Sequence, residues 1–168
     1  MVTLCGSCNV INPDVINPDV INPECSTTWL VIGYGNELRQ DDGAGRRVAD
    51  KVASWSRACT RVISVVQLTP DLAKDIAEVE QVVFVDACEG LEKIRVEAVE
   101  ADEAGGLSSS HHTSPSHLLY LAKHLYNHVP AATWLMLPAC DFDLGERLSD
   151  VAQQGVDDAL TWLRQALT

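Results

Sequence analysis

The sequence predicts an α/β fold, a three-layer α/β/α sandwich around a twisted, mostly parallel sheet of about five strands. Three observations lead to it. Short continuous apolar runs recur at residues 29–33 (WLVIG), 82–86 (VVFVD) and 134–137 (WLML), as expected of strands buried on both faces. Stretches with apolar residues at helical spacing lie between them and after the last. Clusters rich in Gly, Asp, Ser and His fall directly after strands or directly before helices, where loops belong.

Taken in order, residues 10–24 repeat Val-Ile-Asn-Pro-Asp/Glu three times. A proline at every fifth position forbids a helix or an interior strand, and Asn-Pro favours turns. The unit is far shorter than a solenoid repeat of roughly 20 residues. Residues 1–26 are therefore expected to be a poorly ordered extension, and residues 27–168 a single domain. After strand 29–33, residues 44–55 place Val48, Val52 and Trp55 on one helical face. Residues 61–68 (RVISVVQL) form a second strand, and 70–79 a helix with Pro70 in its first turn. Strand 82–86 follows, then an alternating segment at 95–100 suited to a sheet edge. Ser114 suits the N-cap and Pro115 the first position of a helix carrying Leu118, Leu121, Ala122 and Leu125. Strand 134–137 and an amphipathic helix at 148–167 close the chain.

Composition narrows the function. The 168 residues are 46% apolar, enough for one domain with its own core. Twelve basic residues against 24 acidic ones give a formal charge of −12, which repels nucleic acid and anionic lipid. No segment approaches the ~20 apolar residues that span a bilayer, so neither nucleic acid nor membrane is an expected partner. The six cysteines include one close pair, Cys5 and Cys8, with no second pair or His motif to complete a zinc site. A disulfide framework is not expected in a chain with this much core. No Lys or Arg precedes Arg39, so a secretory signal is absent and the cytoplasm is the expected compartment.

In folds of this class ligands bind outside the carboxyl ends of the strands, at a switch in strand order. Three polar clusters lie there. The first is the loop GYGNELRQDDGAG, residues 33–45. A dinucleotide loop of the GxGxxG type fails on spacing, because Leu38 stands where the third glycine belongs. The adjacent carboxylates of Asp41 and Asp42 suit a cation better than a pyrophosphate. Taken alone, each is explained by helix capping. The second cluster is Asp86, ending the most apolar strand, with Cys88 nearby; that thiol has no identifiable activating base and reads as a small hydrophobe. The third is His111-His112, just before the helix at Pro115, where a helix N-terminus favours the neutral, metal-binding imidazole. His117, His124 and His128 fit a solvated helix face. Two carboxylates and one imidazole make an O,O,N set suited to Ni²⁺ or Zn²⁺, while no HExxH or paired-cysteine motif supports a tightly held metal.

The loop GYGNELRQDDGAG resembles the GxGNxLxxDDGxG element of hydrogenase maturation endopeptidases. The resemblance continues through QLTPDL (67–72), VVFVDA (82–87), and His111 with Pro115 and LLYLA (118–122). It closes with PACDFDLGERLS (138–149), so it runs from about residue 28 to the C-terminus. The last block and the QLTP element are most similar to the branch serving bidirectional, NAD(P)-coupled hydrogenases.

The resemblance implies an α/β/α sandwich and removal of a C-terminal peptide from the precursor of a nickel hydrogenase large subunit. Cleavage follows nickel insertion, the nickel being supplied by the substrate, with no tightly held metal in the free enzyme. The family's metal ligands match Asp42, Asp86 and His111, with His112 the choice if the register slips by one. Asp42 and Asp86 are also the candidates for the catalytic general base. The family often carries Glu at the Asp42 position; the VINPD repeats and the Cys5–Cys8 pair are outside its pattern. Two other functions remain to be separated from this one: a non-catalytic nickel-dependent chaperone of the large subunit, and a Rossmann-like nucleotide-binding enzyme.

Overall fold

The computed structural model describes residues 27–102 and 113–167. The extension at 1–26 and the pair His111-His112 lie outside these residues. The chain runs β1 (Trp29–Tyr34), a 3-10 turn (Gln40–Gly43), α1 (Ala44–Ala53), β2 (Thr60–Val65), α2 (Leu72–Ala77) and β3 (Gln81–Glu89). It continues through β4 (Arg95–Val99), α3 (Pro115–Tyr126), β5 (Ala131–Ala139) and α4 (Asp150–Ala166). The five strands form one sheet in the order β2-β1-β3-β5-β4. All pairs are parallel except β4 with β5, so the edge expected at 95–100 is an antiparallel one.

The layers follow from strand alternation, which sends successive side chains to opposite faces. Val31, Val83, Val85, Leu135 and Leu137 meet Val48 and Val52 of α1 and Val156, Ala159 and Leu163 of α4. Leu30, Ile32, Val82 and Phe84 meet Leu72 and Ile76 of α2 and Leu118, Leu119 and Ala122 of α3. A sheet greased on both sides explains why the central strands read as unbroken apolar runs. The structure is thus the three-layer α/β/α sandwich the sequence predicts, with five strands.

Element limits moved where packing outweighs local signals. The strands β3 and β5 run nine residues each, because they pair with one another along their whole length and reach past the apolar run into the loop region. The helix α2 covers only Leu72–Ala77, since its first turn is taken up by single turn bonds from Leu72 N to Thr69 O and Ala73 N to Pro70 O. Ser114 is the expected cap, its Oγ accepting from His117 N at 3.2 Å; Ser149 also caps a helix, its Oγ accepting from Ala152 N at 3.2 Å, so α4 starts at Asp150. No helix among the described residues is long and apolar enough to cross a membrane. Among the described residues Cys88 and Cys140 are free thiols, whereas Cys59 is disulfide-bonded.

The chain leaves β1 toward β2 through α1 on one face, then returns to β3 through α2 on the other. The carboxyl ends of β1 and β3 are therefore the switch point. There α1 approaches the sheet so closely that a Cβ on Gly45 would lie 2.4 Å from Val85 O and 2.7 Å from Tyr34 O. Both contacts are backbone oxygens, which have no side-chain freedom to yield. Gly45→Ala is expected to destabilise the fold by about 1–3 kcal/mol through overpacking, read as a lower denaturation midpoint in urea.

Candidate active site

Asp41 and Asp42 follow β1 in the 3-10 turn, and their neighbouring side chains do different work. Asp41 is fully buried. Its Oδ2 accepts from Cys140 N at 2.9 Å, Asp141 N at 3.0 Å and Ser149 Oγ at 2.8 Å, and its Oδ1 from Ser149 N at 2.7 Å. Burial opposes its ionisation, but these donors outweigh burial and hold the carboxyl below its ordinary range. Backbone bonds beside it, Asp41 N to Asp141 O at 3.0 Å and Gln40 N to Gly145 O at 2.8 Å, join the same two loops. Capping of the following helix, the simple explanation for either acid, is not what the structure shows: neither the 3-10 turn nor α1 has a side-chain cap bond.

Asp42 is half-buried and turns the other way. Its Oδ2 accepts from Asn36 N at 2.8 Å, across the turn. The turn closes because Gly35 has φ +130°, where a Cβ would lie 1.8 Å from Asp42 O. Asn36 Oδ1 in turn accepts from Leu38 N at 3.0 Å.

Asp86 lies in the last part of β3, paired in register with Met136 of β5. Burial, above all, lifts its carboxyl to about 6, with a further push from the charge of Asp42; hydrogen bonds from Tyr34 and from Ala87 N oppose the rise. The Ala87 bond is 2.9 Å long. Asp42 is therefore near enough for its charge to act on Asp86, both lying toward the carboxyl ends of β1 and β3. Tyr34, the last residue of β1, meets Asp86 with its hydroxyl. Burial, and then the Asp86 charge, hold this phenol well above its ordinary range, so it serves as a neutral donor. The buried indole N–H of Trp134 faces the same phenol and acts against that shift. Cys88 shows no activating neighbour; its Sγ lies 3.7 Å from Glu89 O.

Of the three expected metal-binding residues, Asp42 lies near enough to Asp86 for its charge to act on that carboxyl, and His111 lies outside the described residues. Among the described residues no group of three or more His, Cys, Asp or Glu side chains is arranged to hold a metal ion. His117 and His124 lie along α3 with Tyr120, the Tyr120 and His124 rings 4.0 Å apart. Sequence reasoning missed Tyr34 and the role of Asp41. A tyrosine ending an apolar strand beside the acidic loop was a visible signal for the first. For the second there was none, since Ser149 is 108 residues away.

No protein-family model matches the sequence, and no curated protein matches it. Solved structures do resemble it. The hydrogenase 2 maturation peptidase from Thaumarchaeota archaeon SCGC_AB-539-E09 is 25% identical, with a TM-score of 0.63, over 83% of this chain and 97% of that one. The NiFe hydrogenase maturation protease HycI from Thermococcus kodakarensis is 20% identical, with a TM-score of 0.66, over 83% and 91%. The hydrogenase-maturating endopeptidase HybD from E. coli is 16% identical, with a TM-score of 0.63, over 83% and 93%. The fold is therefore that of the hydrogenase maturation proteases.

Two stability predictions follow with opposite signs. Asp41→Asn turns an acceptor into a donor facing donors, and is expected to cost about 2–4 kcal/mol in urea unfolding at pH 7. Because the Asp41 carboxyl is depressed in the fold, its contribution is present above the ordinary carboxylate range and is lost as pH falls through the folded value. The gap between variant and wild type should narrow in acid. Asp86 is the reverse: its folded carboxyl is raised to about 6, so its favourable contribution exists below the ordinary value of 3.8 and is lost as pH rises through 6. Asp86→Asn should melt higher than wild type at pH 8 and show little gain at pH 3.5.

Proposed function

We propose that this chain is an endopeptidase that removes the C-terminal extension of a nickel hydrogenase large-subunit precursor, recognising nickel already bound to that precursor. The observation that carries the reading is the nearness of Asp42 to Asp86, one charge acting on the other, at the switch point of the fold. The fold is shared with solved hydrogenase maturation proteases, one of them 25% identical across most of both chains. On the QLTP and PACDFDLGERLS segments, the precursor is assigned to the bidirectional, NAD(P)-coupled hydrogenases. The cytoplasm is the compartment where such a precursor would be processed.

The carboxylates suit the role. A nickel centre presented by a substrate is a cation entering a site lined by two acids, and His111 would supply the third donor. The ion belongs to the substrate, so the crevice needs only to complete its shell. Bound nickel polarises the scissile carbonyl or a water molecule. Hydrolysis then breaks the C–N bond, with hydroxide joining the acyl carbon and a proton passing to the leaving amine. Either carboxylate can accept the proton of the attacking water; Asp86, with a carboxyl near 6, is the better matched to neutral pH. Tyr34 holds that carboxylate by its hydroxyl.

A chaperone of the same nickel-bearing precursor would bind it without shortening it, which the mass of the product decides. Purified protein incubated with nickel-loaded precursor is expected to release a C-terminal peptide, and nickel-free precursor to stay whole. Asp42→Ala and Asp86→Ala should each reduce cleavage by at least about 100-fold while remaining folded. Efficient cutting of nickel-free precursor would remove nickel from the recognition step.

A further inference from the structure

Two large apolar side chains stand exposed on a rim formed by the loops beside Asp41 and Asp42, Leu38 at 59% and Leu144 at 88% exposure. They sit on different loops, one after β1 and one after β5, yet the loops are bonded as a unit. Gly145 N donates to Leu38 O at 2.9 Å, Gln40 N donates to Gly145 O at 2.8 Å, and Arg39 pairs with Gly145 in a parallel bridge. Side chains add further links: Arg39 Nε donates to Phe142 O at 3.2 Å, and Arg47 donates to Glu146 O. The buried Asp41 carboxylate lies beneath. Neither leucine is therefore displayed on slack chain. A third exposed apolar residue, Val66, adjoins the same loop through Gly35 N, which donates to Val66 O at 3.2 Å.

Resting on the function proposed above, we infer that Leu38 and Leu144 are substrate-specificity residues, gripping an apolar segment of the nickel-bearing precursor beside its metal. Position commits the occupant. Leu38 is four residues before Asp42 in the same loop, and Leu38 N is bonded to Asn36, whose own N–H holds the Asp42 carboxylate. Any protein that sets its nickel on Asp42 must lie against this rim. On the loop after β1 the charged side chains are engaged: Glu37 pairs with Arg46 at 2.9 Å, and Arg39, like Arg47 of α1, binds a backbone oxygen. Burying the two leucines against a partner removes apolar surface from water, and their stiff mounting lowers the ordering cost of binding. A second copy of this chain is a poorer occupant, since each copy brings a formal charge of −12.

The test uses the full chain and nickel-loaded precursor, with binding measured by biolayer interferometry and cleavage by mass. Leu38→Ser with Leu144→Ser should weaken binding and raise KM by about tenfold or more, while kcat stays within about twofold, the pattern of lost uniform binding. Ni²⁺ affinity by calorimetry and the melting temperature should not change, as expected for exposed positions. Binding and KM within about twofold of wild type would overturn the inference. So would a wild-type dimer in sedimentation that Leu144→Ser dissociates, which would assign the rim to a second copy. A wild-type chain that binds the precursor and leaves it whole sinks the endopeptidase reading alone; the binding arm then still decides the role of the rim.

Discussion

The Asp41 carboxylate is removed from water and surrounded by four donors, three of them backbone or side-chain groups of Ser149 and Cys140 and the fourth from Asp141. A buried charge is tolerated only when its lone pairs are met, and here they are. The arrangement does three things together. It pins the loop after β1 to the loop after β5, over the end of β3. It fixes Ser149, whose hydroxyl also caps α4. It settles which way the next residue faces, because once Asp41 points inward, Asp42 is left to turn toward Asn36 and the crevice. The position of the candidate nickel contact is thus a consequence of its neighbour's burial.

A second constraint is the depth at which Asp86 sits. β3 continues three residues beyond Asp86, fully paired with β5, and so carries that carboxylate into a poorly hydrated place. Burial raises its carboxyl, and Tyr34 and the Ala87 amide return part of the lost solvation. The site stores instability at neutral pH, a frequent cost of placing a functional acid where solvent is scarce. The close contact at Gly45 allows α1 to press against the same strand ends, which closes the crevice on one side.

These constraints produce a site of mixed character. Acids lie at the floor, and apolar side chains stand on the rim, held on loops that Asp41 makes rigid. A cation embedded in an apolar protein surface is complementary to both. A free ion would meet only the acids, and a free apolar peptide only the rim. The combination favours a metal-bearing protein over either alone, with specificity coming from the need to satisfy both.

By itself the sequence determined the layer architecture, because apolar runs of strand length alternating with amphipathic helices have few other ways to bury their faces. It also located Asp42 in the loop after the first strand and Asp86 at the close of an apolar run, although pairing with β5 carries β3 three residues past Asp86. Strand order, the antiparallel edge at β4 and the nine-residue lengths of β3 and β5 came from pairing between distant segments, which periodicity does not encode. The division of labour between Asp41 and Asp42 was likewise decided only in three dimensions. Two adjacent identical side chains carry the same local information, and what separates them is the partner each meets, Ser149 from 108 residues away for one and the open crevice for the other.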